Sequence, residues 1–217
     1  TTVMAALLPP YFSNVAAASL GKAQASSIWG YSTSVAMALG AIAGPIMGAM
    51  ADHTGRKKGF MKVFWLLAVI FTGCLFFVRE GDWLPAVVFF VVASVAAEAA
   101  NVFYDSLLPH VAGPDEMDRV SARGFALGYL GGGLLLLLNL LWYMKPEWFG
   151  FRDGSVAIRA SFLSVAVWWA IFALPLFRHV PEPPLAAGGK RQASPSEAIR
   201  AAFQRLGRTF REIRRYK

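Results

Sequence analysis

The chain has 217 residues, of which 56% are hydrophobic and only 16% charged, with 17 Phe and 7 Trp. Its mean hydropathy of +0.48 lies above that of water-soluble domains of this size, which excludes a soluble enzyme as the default, and a single Cys excludes a disulfide framework or a cysteine metal cluster. The net charge of +8 comes from 21 Lys and Arg against 13 Asp and Glu, and its placement in a few segments points to a membrane surface and not to nucleic acid.

A helix crossing the hydrocarbon core needs about 20 mostly apolar residues. Thr1–Phe12 is apolar but too short to span, with Pro9-Pro10 near its end. It reads as the last turns of a first helix that is cut. No charged segment precedes it and no processing site follows, so it does not resemble a signal peptide. Five full spans come next: Ile28–Met50, Phe60–Val78, Leu84–Leu107, Phe125–Met144 and Ala160–Phe177. The expected fold is all-α, an integral membrane bundle of six helices over residues 1–178.

The second span carries Gly40, Gly44 and Gly48 at intervals of four. Small residues on one helix face let backbones meet closely in lipid, where packing replaces the hydrophobic driving force. This span runs into Gly48-Ala-Met-Ala-Asp52-His53-Thr54-Gly55-Arg56-Lys57-Lys58. Gly48 permits close approach, Gly55 a tight turn, Asp52 suits a helix N-terminus, and Arg56 offers a fork for carboxylates. A merely positive loop accounts for the cations but not for the glycines and the aspartate at these spacings.

The fourth span holds Glu98, Asn101 and Asp105, spaced three and four apart and therefore on one face. Glu98 lies about 14 residues, or roughly 21 Å, in from Leu84. A carboxylate inside the hydrocarbon costs at least about 2.5 kcal/mol and normally faces a cavity or a partner. Glu98 and Asn101 are therefore expected to line a substrate path, with Glu98 as a proton or substrate-amine site. The alternative is a structural hydrogen bond to a neighbouring helix. The fifth span repeats the glycine spacing with Gly124, Gly128 and Gly132. Both glycine rows lie toward the same end of their spans, reached from opposite chain directions, as a 3+3 inverted repeat produces. Pro45, Gly131 and Gly133 add points where these helices can bend. Asn139 is expected to bond a neighbouring helix, and Arg159, at the outer end of the sixth span, to snorkel to the interface.

Residues 179–193 form a linker, with Pro181-Glu-Pro-Pro184 and Gly188-Gly189. Residues 194–217 then begin with Ser194-Pro195-Ser196-Glu197, a good helix start. Ile199, Phe203, Leu206, Phe210 and Ile213 share one face of this helix, and Arg200, Arg208, Arg211, Arg214 and Arg215 occupy much of the rest. A basic amphipathic helix of this kind lies on an anionic membrane surface or packs beneath a membrane domain. Counted by side, the connections after the second, fourth and sixth spans hold 16 Lys and Arg and the opposite side holds 5. The richer side, with the linker and the tail, is expected to be cytoplasmic. Most of that bias comes from the tail.

The Gly48–Lys58 pattern resembles the loop signature G-x-x-x-D-[RK]-x-G-[RK]-[RK] of the major facilitator superfamily, in the loop where that superfamily keeps it. His53 departs from the usual basic residue. Phe103-Tyr-Asp-Ser-Leu-Leu-Pro-His110, Arg119-Val-Ser-Ala-Arg-Gly-Phe-Ala-Leu-Gly-Tyr-Leu-Gly-Gly-Gly133, Leu7-Leu-Pro-Pro-Tyr-Phe12 and Arg211-Glu-Ile-Arg-Arg-Tyr216 are similar to the vacuole effluxer-like branch. That branch comprises fungal vacuolar amino-acid effluxers linked to autophagy and their bacterial relatives. The resemblance implies the amino-terminal six-helix half of a twelve-span carrier. A carboxy-terminal bundle is expected to follow. It further implies a gating motif of Gly48, Asp52, Gly55, Arg56 and Lys57, latched by Asp105 to Arg56 in the outward-open state.

The expected function is secondary transport of a small polar solute by alternating access, amino-acid efflux being the first substrate the resemblance suggests, with a proton as the coupling ion. Partners are the lipid bilayer, the solute and the second bundle, with no nucleic acid. High Ala, Gly and Arg usage points to a bacterial inner membrane. The alternative is a six-span sensor that recruits a partner through its basic helix. An enzyme lacks support: His53, His110 and His179 make no ligand spacing with one another or with Cys74, and no nucleophile elbow or phosphate-cradling loop occurs. No metal and no cofactor are expected.

Overall fold

The computed structural model describes residues 2–54, 56–113 and 115–182, with the backbone alone at Ala49 and 51–54. The basic helix expected over 194–217 and most of the linker before it lie outside these residues. The chain is built from helices: α1 (Thr2–Tyr11), α2 (Lys22–Thr54), α3 (Lys57–Cys74), α4 (Trp83–Asp105), α5 (Met117–Met144) and α6 (Gly154–His179), with a short helical turn over Leu108–Val111. Among the described residues, the five helices after α1 are long and apolar enough to cross a membrane.

Most of these five helices outrun the apolar stretch that marks them. α2 begins at Lys22 and not at Ile28, and α6 at Gly154 and not at Ala160. Lys, Gln, Ala and Ser are adequate helix formers, so backbone hydrogen bonding continues past the point where hydropathy falls. At α6 the start is set by Asp153, whose Oδ1 accepts from the Val156 amide at 3.0 Å, an N-cap. α1 does not stop at its prolines. The helix includes Pro9 and Pro10 and continues as a wider π-type turn over Phe12–Ala16. The prolines lack the amides that would bond Ala5 and Ala6, and the wider turn carries Phe12 and Ala16 into the core.

α4 packs on α2 and α3, α1 packs on α5 and α6, and α3 meets α6. Exchanging α1 with α4, α2 with α5, and α3 with α6 turns the first two pairings into the next two and leaves the α3–α6 pairing as it is. That is the contact pattern of two inverted three-helix repeats.

Two buried clusters hold the bundle together. At the end holding Lys22 and Trp83, Tyr11, Phe12, Leu75, Val78 and Phe162 form one core. There the Tyr11 hydroxyl donates to the Val78 carbonyl at 2.8 Å, and its ring meets Phe162 edge-on at 5.5 Å, a geometry worth about 0.5–1.5 kcal/mol beyond area. Gly21 and Gly81, with φ of 78° and 85°, make the tight turns of this end. At the end holding Gly48–Lys58, hereafter the motif end, Met50, Met61, Phe103 and Leu107 form a second core. Phe103 stacks with Phe60 at 5.6 Å and with Phe64 at 5.9 Å. α5, by contrast, buries only Leu135 and Asn139 and leaves Phe125, Leu127, Tyr129 and Leu130 exposed.

Candidate functional site

At the motif end, the two lysines that open α3 reach different helices. Lys57 Nζ donates to the Ser106 carbonyl at 3.1 Å and lies 3.2 Å from His110 Nε2. Lys58 Nζ donates to the carbonyls of Phe177, at 3.1 Å, and Val180. Both lysines therefore sit on the carbonyl ends of helices, α4 and α6 respectively, which carry orphan acceptors and partial negative charge. In return the Lys58 amide, an orphan donor in the first turn of α3, donates to Glu182 Oε1 at 2.9 Å. Lys58 and Glu182 thus cap each other's helix end. Adjacent residues on a helix project about 100° apart, which is why neighbours in sequence serve two different helices.

Arg56 stands exposed at the α3 cap. It forms no ion pair with Asp105. Among the described residues, Lys57 is the cation that reaches the end of α4. Gly55 and the side chain of Asp52 lie outside the description, so the expected gating set is visible only at Gly48, Arg56, Lys57 and Asp105.

α4 presents two contrasting faces. Ala93, Ala96, Ala99, Ala100 and Phe103 are buried, while Glu98, Asn101 and Asp105 are all exposed, on the one face their spacing predicts. The neighbours then separate them. Glu98 borders a recess of about 420 Å³ between α2 and α4. Asn101 and Asp105 border a cavity of about 680 Å³ between α1, α4, α5 and α6, whose walls include Tyr104, Phe125, Tyr129 and Trp168. Both volumes fall in the range of small-molecule sites.

The glycine rows divide in the same way. A Cβ at Gly40 would meet Glu98 Cγ at 3.6 Å, at Gly48 Val102 Cγ1 at 4.0 Å, at Gly124 the Tyr104 hydroxyl at 3.8 Å, and at Gly132 Thr2 Oγ1 at 3.3 Å. Gly44 and Gly128 have nothing within 4 Å. Asn139 is fully buried, and its Oδ1 accepts from Ser164 Oγ of α6 at 3.1 Å, the neighbour bond expected of it. Its Nδ2 has no partner among the described residues. Arg159 rests its guanidinium 5.9 Å from the Phe76 ring centre, a cation–π contact, with its Nε buried and without a hydrogen bond among the described residues.

Sequence reasoning missed the mutual caps of Lys58 and Glu182, since Glu182 lies between two prolines in a stretch that reads as linker. It also missed the aromatic wall of the larger cavity. Aromatic residues in a span carry no periodic signal that distinguishes a cavity from lipid.

Residues 12–217 match the family model described as "Vacuole effluxer Atg22 like". The chain is 32% identical to the "Uncharacterized MFS-type transporter YxiO" of Bacillus subtilis (strain 168), across 99% of this chain and 49% of that protein. It is also 28% identical to "Autophagy-related protein 22-1" of Penicillium rubens, across 46% of this chain and 17% of that protein. The chain thus spans at most about half the length of these relatives. No solved structure matches it.

Proposed function

Because the chain belongs to the Atg22-like vacuole effluxer family, as an all-α, multi-pass membrane bundle that makes half of a major facilitator fold, we propose that it is the amino-terminal half of a secondary transporter. The observation that carries this reading is the exposed face of α4. Glu98 and Asn101 lie within a membrane-spanning helix yet are uncovered by this bundle. Polar groups at that depth face water or protein, not lipid. A second six-helix bundle following this one supplies the opposite wall, and the two rock about a midplane site.

In this reading Glu98 and Asn101 border the path of a small polar solute. Amino acids, moved outward from the cytoplasm, are the substrate class that fits the family. Glu98 is the group that carries a coupling proton or the solute's amine. The Gly48–Lys58 loop, with Gly48, Asp52, Gly55, Arg56, Lys57 and Asp105, controls closure on the cytoplasmic side of a bacterial inner membrane. Lys57 contributes by holding the end of α4, and Arg56 meets Asp105 when that side closes. The glycine faces of α2 and α5 supply close packing, Gly44 against the second bundle, while Gly128 borders the larger cavity.

The test is counterflow in proteoliposomes holding the full native chain, with a panel of unlabelled amino acids inside and labelled ones outside. Accumulation is expected for at least one of them. Glu98→Gln should lower its rate about tenfold or more, the loss of a charge-assisted contact. An unchanged rate with an unchanged pH dependence removes Glu98 from the path, and no counterflow with any solute removes the transporter reading.

A further inference from the structure

The recess between α2 and α4 has the composition of a cation site. Glu98 supplies its charge, and among the described residues no Lys, Arg or His lines it. Gly40 lies against the Glu98 stem, where a Cβ would stand 3.6 Å from Cγ, so the glycine admits the stem beside the α2 backbone. Thr33 Oγ1 donates to the Trp29 carbonyl at 3.0 Å, which leaves its lone pairs to the recess. The Ser94 hydroxyl has no partner among the described residues. Ser32, Ser34 and Ser161 instead return their protons to carbonyls of their own helices. Phe90 and Met37 complete the wall with apolar surface.

We propose that this recess binds a primary ammonium group carried on a short apolar chain, with Glu98 as counter-ion and the hydroxyls of Thr33 and Ser94 as acceptors. The inference deepens the transport reading and rests on it only for placing the recess on the solute's path. An ammonium has three donors and no acceptor, and the carboxylate and two hydroxyls present oxygen acceptors to match. The Phe90 face offers a cation–π contact, and Met37 accommodates the alkyl chain. A hard metal ion asks for about six or more oxygen ligands, more than these side chains supply. The carboxylate of a zwitterion finds no cation in this recess, so it is held elsewhere along the path.

The test uses the full native chain in detergent, with every native cysteine replaced by Ser and with Ala41→Cys. Ala41 lines the recess and is exposed. The rate of modification by methyl methanethiosulfonate is measured with n-butylammonium, n-butanol or butyrate present at matched ionic strength. Butylammonium should slow the reaction about fivefold at about four times its dissociation constant, and butanol and butyrate should not. Glu98→Gln should abolish the protection. Equal protection by butanol or butyrate, persistence of the effect in Glu98→Gln, or no protection by the amine overturns the proposal. If the Gln variant fails to fold, the three ligands compared on the parent chain still decide. Protection without counterflow keeps the site and discards transport; counterflow without protection does the reverse.

Discussion

Lys58 and Glu182 lie 124 residues apart in the chain, yet each completes the other's helix end. A side chain that caps a helix end, or a charge placed at its dipole, contributes about 1 kcal/mol. Lys58→Ala and Glu182→Ala are each expected to lower the melting temperature of the detergent-solubilised full chain. The double variant should fall short of the sum, because the two residues are coupled. Scanning calorimetry or dye-based unfolding of the three variants checks this, and strictly additive losses would show the two caps to be independent. The polar face of α4 was legible in the sequence, since steps of three and four place Glu98, Asn101 and Asp105 together on any helix. Their division between two cavities was not, because it depends on whether α2 or α5 stands beside each residue. Lys57 was legible as part of a motif. The helix it would cap was not, since a lysine's reach is decided by which chain end is packed next to it.

At the scale of the helix, the elements themselves were readable because roughly 20 apolar residues in a row have few other fates. Their ends were not. Hydropathy marks where the lipid stops, whereas hydrogen bonding and caps such as Asp153 mark where the helix stops. Glycines show a similar limit. Spacing identified the rows, but only neighbours tell which members are in contact. Gly128→Ala, with open space at its Cβ, should leave melting unchanged or raise it, since alanine is favoured in a helix by about 0.5–1 kcal/mol. Gly154→Ala should lower it, because a Cβ there would stand 3.1 Å from Tyr143 Cε2 and 3.2 Å from Cδ2. Thermal unfolding of both variants decides; the opposite order would mean that the α5–α6 turn yields easily. If Gly44→Ala slows counterflow while leaving melting intact, that glycine packs against the second bundle.

Over the whole molecule, the exchange-symmetric contacts and the exposed flank of α5 describe a half that is complete within its repeats and open on one side. Orientation is the property that the packing does not contain, and it rests on charge. In the full chain with every native cysteine replaced by Ser, Ser19→Cys should react with a membrane-impermeant maleimide added to intact cells, and Gly113→Cys only after permeabilisation. Both positions are exposed, at opposite ends of the bundle. The reverse pattern would place the motif loop outside.

The contact of Tyr11 with Phe162 also constrains the order of events during synthesis. About 150 residues separate the two rings, and ribosomes add about 5–20 residues per second, so α1 waits roughly 8–30 s before α6 exists to receive it. Throughout that interval a helix short of two backbone hydrogen bonds at Pro9-Pro10 lacks the side chains that complete its core. Ribosome-stalled intermediates ending before α6 should therefore leave α1 unusually open to chaperones, proteases and amide exchange.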